Sequence, residues 1–383
     1  VTEGCEYFHQ NQCRSCSLIK LSYDDQCKHK EQRLAKLFAD ADLHCAKPIS
    51  AIVRANNPFH SRNKAKFVIE GTARTARFTF FGSAAPETDF GTCPLHLSSI
   101  QALIPDLRGL IAAYDLTPYL PETRAGELKA IIIRASETTG DLMVRFIMRS
   151  VALKSTLQRA ARALQTRHPE VKVVSLNLQP IPHTILEGEH EEILSDRAWI
   201  EEQGTNFTLR MSPQSFFQVT TNVAWKLYDT AMLVIDRYGT KQVVDLYCGI
   251  GGFALAAART GAHVSGFEIS SAAINDAKRN AEVNGITQAL FNVADVDMQI
   301  PVLRPDTDCV IVNPPRRGVD ELVLKELNAF RPKIIVYSSC YPESLVRDLR
   351  ILSENYALSE VVPFDMFPLT EHFETFVVLT RLS

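Results

Sequence analysis

No stretch of this 383-residue chain approaches the ~18 consecutive apolar residues that a membrane-spanning helix needs, so no helical membrane segment is expected. A basic-then-apolar leader is missing too, which points to the cytosol. Thiols stay reduced there, and nine cysteines, an odd number, argue against a disulfide framework and for metal binding, catalysis or burial. The formal net charge of -3 supplies no surplus of positive charge that would mark the whole chain as a nucleic-acid binder. Internal repeats and low-complexity stretches are absent, so neither a repeat array nor a biased tail is expected.

What is present is an ordinary globular composition, 46% hydrophobic, in a length that suits two or three domains. Charge is uneven. Arg54, Arg62, Lys64, Lys66, Arg74 and Arg77 crowd residues 51 to 80 against the single acid Glu70, interleaved with Phe59, Phe67, Phe78, Phe80 and Phe81. A second basic stretch runs from 143 to 172. Mixed cations and rings suit phosphate contact plus base stacking, although strands with solvated outer faces give the same composition.

The periodicity changes along the chain. EQRLAKLFA (31–39) reads as a helix, and after Pro48 short β-branched or aromatic runs follow: KFVIEG, RFTFFG, LKAIIIRA and DLMVRFIMRS. One clear helix interrupts them, at 151–167, where Leu153, Leu157, Ala161 and Leu164 share a face. This half is expected to be an α+β domain with a largely antiparallel sheet. From about 212 helices and strands alternate, which predicts an α/β, doubly wound parallel sheet. Two closing strands, near 356–364 and 373–381, have no helix between them and should add an antiparallel end strand.

The first strand of the α/β half runs into DLYCGIGGFA (245–254), with glycines where the chain turns into its helix, and Glu268 ends the second strand. A carboxylate there suits the two hydroxyls of a ribose. Gly249, Gly251 and Ala254 also satisfy a GxGxxA fingerprint, so NAD and S-adenosylmethionine are not separated by this turn. VNPPRRG (312–318) then sets a rigid extended loop beside the reactive end of such a cofactor, for which a dehydrogenase has no obvious use. Strand KIIVYSSC brings Cys340 to the carboxyl edge of the sheet, and the N-terminal end of the helix after it is expected to lower the thiol's pKa. A thiolate beside a methyl donor suggests uracil chemistry: addition to carbon 6 makes carbon 5 nucleophilic, and a base must then remove the hydrogen from carbon 5. LTEHFETF (369–376) offers Glu371, read as a solvated loop residue, and Glu374, read as the base.

QSFFQ (214–218), DLYCGIGG (245–252), FEI (267–269), VNPPRRG, YSSC (337–340) and FDMFP followed by EHFE (364–374) together resemble the RNA uracil-C(5) methyltransferases, over nearly the whole chain. The resemblance implies a Rossmann-like S-adenosylmethionine-dependent methyltransferase domain at 211–383. It implies Cys340 as nucleophile, Glu374 as base, and Gln218, Tyr247, Glu268 and Asn313 around the cofactor. Asn313 stands where many relatives carry Asp. The basic segment HSRNKAKF (60–67) would belong to a central RNA-binding domain, 51–210. Cys5, Cys13 and Cys16, with Cys93 as a distant fourth, resemble the ligand set of members carrying a 4Fe-4S cluster on an N-terminal segment, 1–50. Spacing alone would equally allow zinc, and the resemblance favours the cluster. Cys27, Cys45, Cys248 and Cys309 are read as packing residues. With Cys5 near the start, the extra N-terminal β-barrel of some relatives is not expected, and that feature with the cysteine set points to the branch acting on 23S rRNA. The expectation is a cytoplasmic monomer that takes a flipped uridine from a single-stranded rRNA loop. The same chemistry on another 23S rRNA uridine or on a tRNA uridine, a non-catalytic RNA-binding iron-sulfur protein and an NAD oxidoreductase are the rival readings.

Overall fold

The computed structural model describes residues 4–81, 85, 87–181, 185–298 and 303–382. It divides into two compact units, one of residues 1–16, 57–202 and 211–214 and the other of 17–56, 203–210 and 215–383. The N-terminal segment expected over 1–50 is therefore split after Cys16. The reason is packing: helix Tyr23–Asp40 buries Cys27, Leu34 and Phe38 in the core of the second unit.

The first unit is built on a six-stranded sheet. Its strands β1 (Lys64–Glu70), β2 (Arg77–Thr79), β3 (Leu128–Ala135), β4 (Leu142–Met148), β5 (Val171–Leu178) and β6 (His190–Ile193) are ordered β2-β1-β3-β4-β5-β6. All neighbours are antiparallel except β4 and β5, which helix Lys154–Arg167 joins as a parallel crossover. One face buries Phe67, Phe78, Ile131 and Phe146 against that helix and helix Ser98–Ala113. The second of these helices was not expected from the sequence, because Pro105 lies inside it and removes a backbone donor. Its buried Ile100, Leu103, Ile104, Leu107 and Ile111 keep helical spacing, and burying that stripe outweighs the lost bond. Strands β7 (Ile200–Gln203) and β8 (Thr208–Met211) form a separate two-stranded sheet.

The second unit contains a seven-stranded sheet of β9 (Gln242–Leu246), β10 (His263–Glu268), β11 (Ala289–Val293), β12 (Cys309–Val312), β13 (Ile334–Ser339), β14 (Tyr356–Phe364) and β15 (Glu374–Arg381). Their order is β11-β10-β9-β12-β13-β15-β14. The first five strands in that order are mutually parallel, and β15 runs antiparallel to both its neighbours. The chain order reverses between β9 and β12, which creates the crevice where open α/β sheets bind ligands. The expected elements recur closely here: GFALAAAR is helix Gly252–Arg259, and the strand expected at 356–364 is β14. The edge of β14 is covered by residues 46–53, whose Ala46, Ser50 and Val53 amides donate to Leu358, Val361 and Pro363 carbonyls. Among the described residues no helix is long and apolar enough to cross a membrane.

Candidate active site

The turn after β9 needs left-handed backbone at Tyr247 (φ 62°), Gly249 (φ 53°) and Gly251 (φ 91°). Glycine adopts this freely and tyrosine at a cost of about 1–2 kcal/mol. A Cβ on Gly249 would meet nothing within 4 Å, so the backbone there is open to a ligand. Gly249 lines a cavity of about 850 Å³ that lies wholly within the second unit. Gln218, Tyr247, Glu268, Asn313, Cys340 and Glu374, separated by up to a whole domain of sequence, all border this cavity.

Each arrives from a different element. Glu268 ends β10, with one carboxylate oxygen accepting the Ser270 amide at 2.9 Å. Tyr247 donates its hydroxyl to Asp297 Oδ1 at 2.6 Å, and Asp297 also pairs with Arg317. Gln218 is buried, on the segment before helix Thr221–Arg237. Asn313 directly follows β12 and uses its amide nitrogen twice, donating to the Ser338 carbonyl at 3.1 Å and to Glu374 Oε1 at 3.2 Å. Cys340 directly follows β13, and Ser339 on that strand is registered with Thr375 on β15. Because β15 is antiparallel, its first residue, Glu374, comes to the edge where the parallel strands end.

Glu374 is 1% exposed, and its Oε1 also accepts a hydrogen bond from the Ser338 hydroxyl. Burial disfavours the charged form and raises its pKa from 4.5 to about 7, with the bonds from Ser338 and Asn313 pulling the other way. A carboxyl poised near neutrality is suited to general-base work. The thiol departs from the sequence expectation. Burial first, and then the charge of Glu374, push Cys340 above its ordinary value, while the Arg316 guanidinium opposes both. Desolvation of the thiolate is the largest of these effects, and the expected net lowering is not found.

The sequence reading passed over several residues of this site. Ser338, which holds Glu374, is legible in retrospect as a polar residue in a strand buried along its whole length. Phe216, 63% exposed, and Phe367 line the cavity as well. Asp297 offered no signal, since only the fold brings it to Tyr247. Cys27, Cys248 and Cys309 are buried as expected, and Cys45 is half-buried.

The four N-terminal-type cysteines all belong to the first unit. Cys5 precedes the short helix Glu6–His9, and Tyr7 on that helix bonds Thr92 at 2.6 Å and packs its ring on Phe90, next to the Cys93 loop. None of the four is in a disulfide. Every pair among them is near enough to interact electrostatically. Burial, then the charges of Cys93, Cys13 and Cys5, push Cys16 up to about 12, and burial pushes Cys93 to about 11. Among the described residues, no group of three or more His, Cys, Asp or Glu side chains is gathered tightly enough to hold a metal ion.

The sheet and its cavity define a methyltransferase-type α/β fold, and comparison with known proteins makes the class specific. The family model described as tRNA (Uracil-5-)-methyltransferase matches residues 136–299 and 297–382, and the chain belongs to that family. The 23S rRNA (uracil(747)-C(5))-methyltransferase RlmC of Shewanella loihica is 37% identical over 381 residues, 99% of this chain and 99% of that protein. Its counterpart in Vibrio cholerae serotype O1 is 36% identical over 378 residues, 98% of this chain and 99% of that protein. Among solved structures, the Pyrococcus abyssi tRNA (uracil-54, C5)-methyltransferase in complex with S-adenosyl-L-homocysteine superposes with a TM-score of 0.80 at 26% identity. That match covers 96% of this chain and 86% of that chain.

Proposed function

We infer that this chain transfers a methyl group from S-adenosylmethionine to carbon 5 of a uridine in 23S rRNA, at the position named for its RlmC relatives, uracil(747). Full-length identity to those relatives supports the rRNA target, and family membership supports the uracil-C5 chemistry. The observation that carries the mechanism is the convergence of Cys340 and the buried Glu374 on one cavity. The open backbone at Gly249 and the carboxylate of Glu268 fit S-adenosylmethionine, with Gln218, Tyr247 and Asn313 completing its surroundings. The cofactor supplies an electrophilic sulfonium methyl group.

Cys340 Sγ, as the thiolate, would bond to carbon 6 of a uracil swung out of its RNA stack and place electron density on carbon 5. Carbon 5 would take the methyl group while the electron pair of the broken carbon–sulfur bond stays on the donor's sulfur, which leaves as S-adenosylhomocysteine. Glu374 then takes the hydrogen from carbon 5, the double bond re-forms and the carbon 6–sulfur bond breaks to return the thiolate. Asn313 and Ser338 hold the carboxyl in place while it does so. In the free protein the negative charge of Glu374 raises the pKa of Cys340, so the thiolate forms more readily while Glu374 is neutral, and that proton must leave to solvent before Glu374 acts as the base.

The first unit serves as the RNA-facing domain in this reading, and Cys5, Cys13, Cys16 and Cys93 as ligands of a 4Fe-4S cluster in a cytoplasmic monomer. Four mutually sensing thiols are soft donors that a cluster or a zinc ion would accept, and the resemblance in sequence favours the cluster. Such a cluster would fasten the first residues of the chain to the Cys93 loop. Mapping 5-methyluridine in rRNA from cells with and without the gene tests the function. Persistence of the modification at uracil(747) without the gene would refute the target.

A further inference from the structure

We propose that Arg33 is a positioning residue for the Cys340–Glu374 pair, because it ties together the two chain segments that flank the pair. The inference rests on the catalytic reading above. Thiol and carboxyl must reach adjacent carbons of one ring, which requires their separation to be held to about 0.5 Å. The β13–β15 ladder ends at Ser339 and Thr375, so Cys340 lies just past its last registered pair. Beyond that point backbone pairing between these strands no longer sets the spacing.

Arg33 spans the gap. Its Nη2 pairs with Glu343, in the first turn of the helix that follows Cys340. Its Nη1 donates to the Glu371 carbonyl at 2.9 Å, in the turn that leads into Glu374. The guanidinium also lies 6.0 Å from the ring centre of Phe373, the residue immediately before Glu374. A planar cation with donors on two sides is the side chain that can bridge a carboxylate and a carbonyl at once, and lysine, a point charge, cannot reproduce that geometry.

The helix that carries Arg33 is itself fixed to the same turn. Lys30, fully buried, donates to Asp365 Oδ1 at 2.5 Å and to the Phe367 carbonyl at 3.1 Å. Gln26 accepts the Leu369 amide at 3.0 Å, and His29 pairs with the Glu371 side chain at 2.7 Å. Arg33 thus acts from a rigid platform. Its own side chain is 28% exposed and engaged at both ends, which does not suit a free phosphate contact.

The test uses the full chain with its rRNA substrate and S-adenosylmethionine. Wild type is measured first for 5-methyluridine formation and for the covalent RNA adduct; absence of both would overturn the catalytic reading itself. With wild type active, Arg33→Met is expected to lower kcat by about 10- to 100-fold, with KM for RNA and affinity for S-adenosylmethionine changed less than about threefold. Arg33→Lys should recover part of the loss, and adding Glu343→Gln to Arg33→Met should cost nothing further. Glu343→Gln alone, an isosteric change at a half-buried position, should show a smaller fall in kcat of the same kind. A raised KM for RNA at unchanged kcat would make Arg33 an RNA contact and overturn the proposal, as would unchanged kinetics in Arg33→Met and Glu343→Gln.

Discussion

Replacing Glu374 by Gln removes a titration that burial has moved into the neutral range, and the consequence for stability has a definite sign. The folded-state pKa is raised from 4.5 to about 7, so the folded chain holds this proton where the unfolded chain has released it. Below the lower value both states are neutral and the group is silent. As pH rises between the two values the folded state loses stability, and above the upper one the full penalty is present, about 3 kcal/mol from 1.36 kcal/mol per pH unit. A neutral glutamine carries no such penalty and can still accept the hydrogen bonds from Ser338 and Asn313 through its amide oxygen. Glu374→Gln should therefore be more stable than wild type by about 3 kcal/mol at about pH 8 and no more stable at about pH 4. Denaturant unfolding of both proteins across that range, followed by circular dichroism, measures the difference. A gap independent of pH would refute the raised carboxyl. The same variant should accumulate a covalent protein–RNA species on a denaturing gel, since the carbon 5 hydrogen is no longer removed, and its absence would remove Glu374 from the base role.

Cys340→Ala should abolish methyl transfer while S-adenosylmethionine binds within about threefold of wild type by calorimetry, and residual turnover near the wild-type rate would refute covalent catalysis. In wild type the rate should rise with pH through about 7 as Glu374 becomes a base, and a rate flat between about pH 6 and pH 8 would contradict that assignment. Gly249→Ala should weaken S-adenosylmethionine binding at least tenfold or so, with a stability loss of about 1–2 kcal/mol, because φ is 53° there and the cavity side is open. Lys30→Met strands Asp365 without its cation in a fully buried site and should cost about 3–5 kcal/mol, most of which Lys30→Met with Asp365→Leu should restore. Iron and sulfide should be present in anaerobically purified wild type and lost in Cys93→Ser, and equal iron in both would remove Cys93 from the ligand set.

The α/β part of the second unit was the more legible in sequence because its elements are periodic and well punctuated. Helix Gly252–Arg259 begins behind left-handed glycines, and helix Pro342–Leu352 begins with proline at its first position. In the first unit Pro105 concealed a helix whose apolar stripe is visible only when its partner sheet is known. The segment 17–56 was also misplaced, since nothing local to it shows that Lys30 will meet Asp365. Pairings of that sequence distance have no periodicity to betray them.

Sequence alone marked out the alternation of elements after about residue 240, the glycine turn after β9, and Cys340 and Glu374 as candidate thiol and carboxyl. Those follow from local backbone preference and from residue chemistry. Tertiary structure decided how these groups behave. Inserting β15 antiparallel between β13 and β14 carries Glu374 to the edge where Cys340 lies. Burial there raises both pKa values, against the helix-end argument that a sequence supports. Desolvation depends on everything packed around a group, and only the fold brings that surrounding shell together.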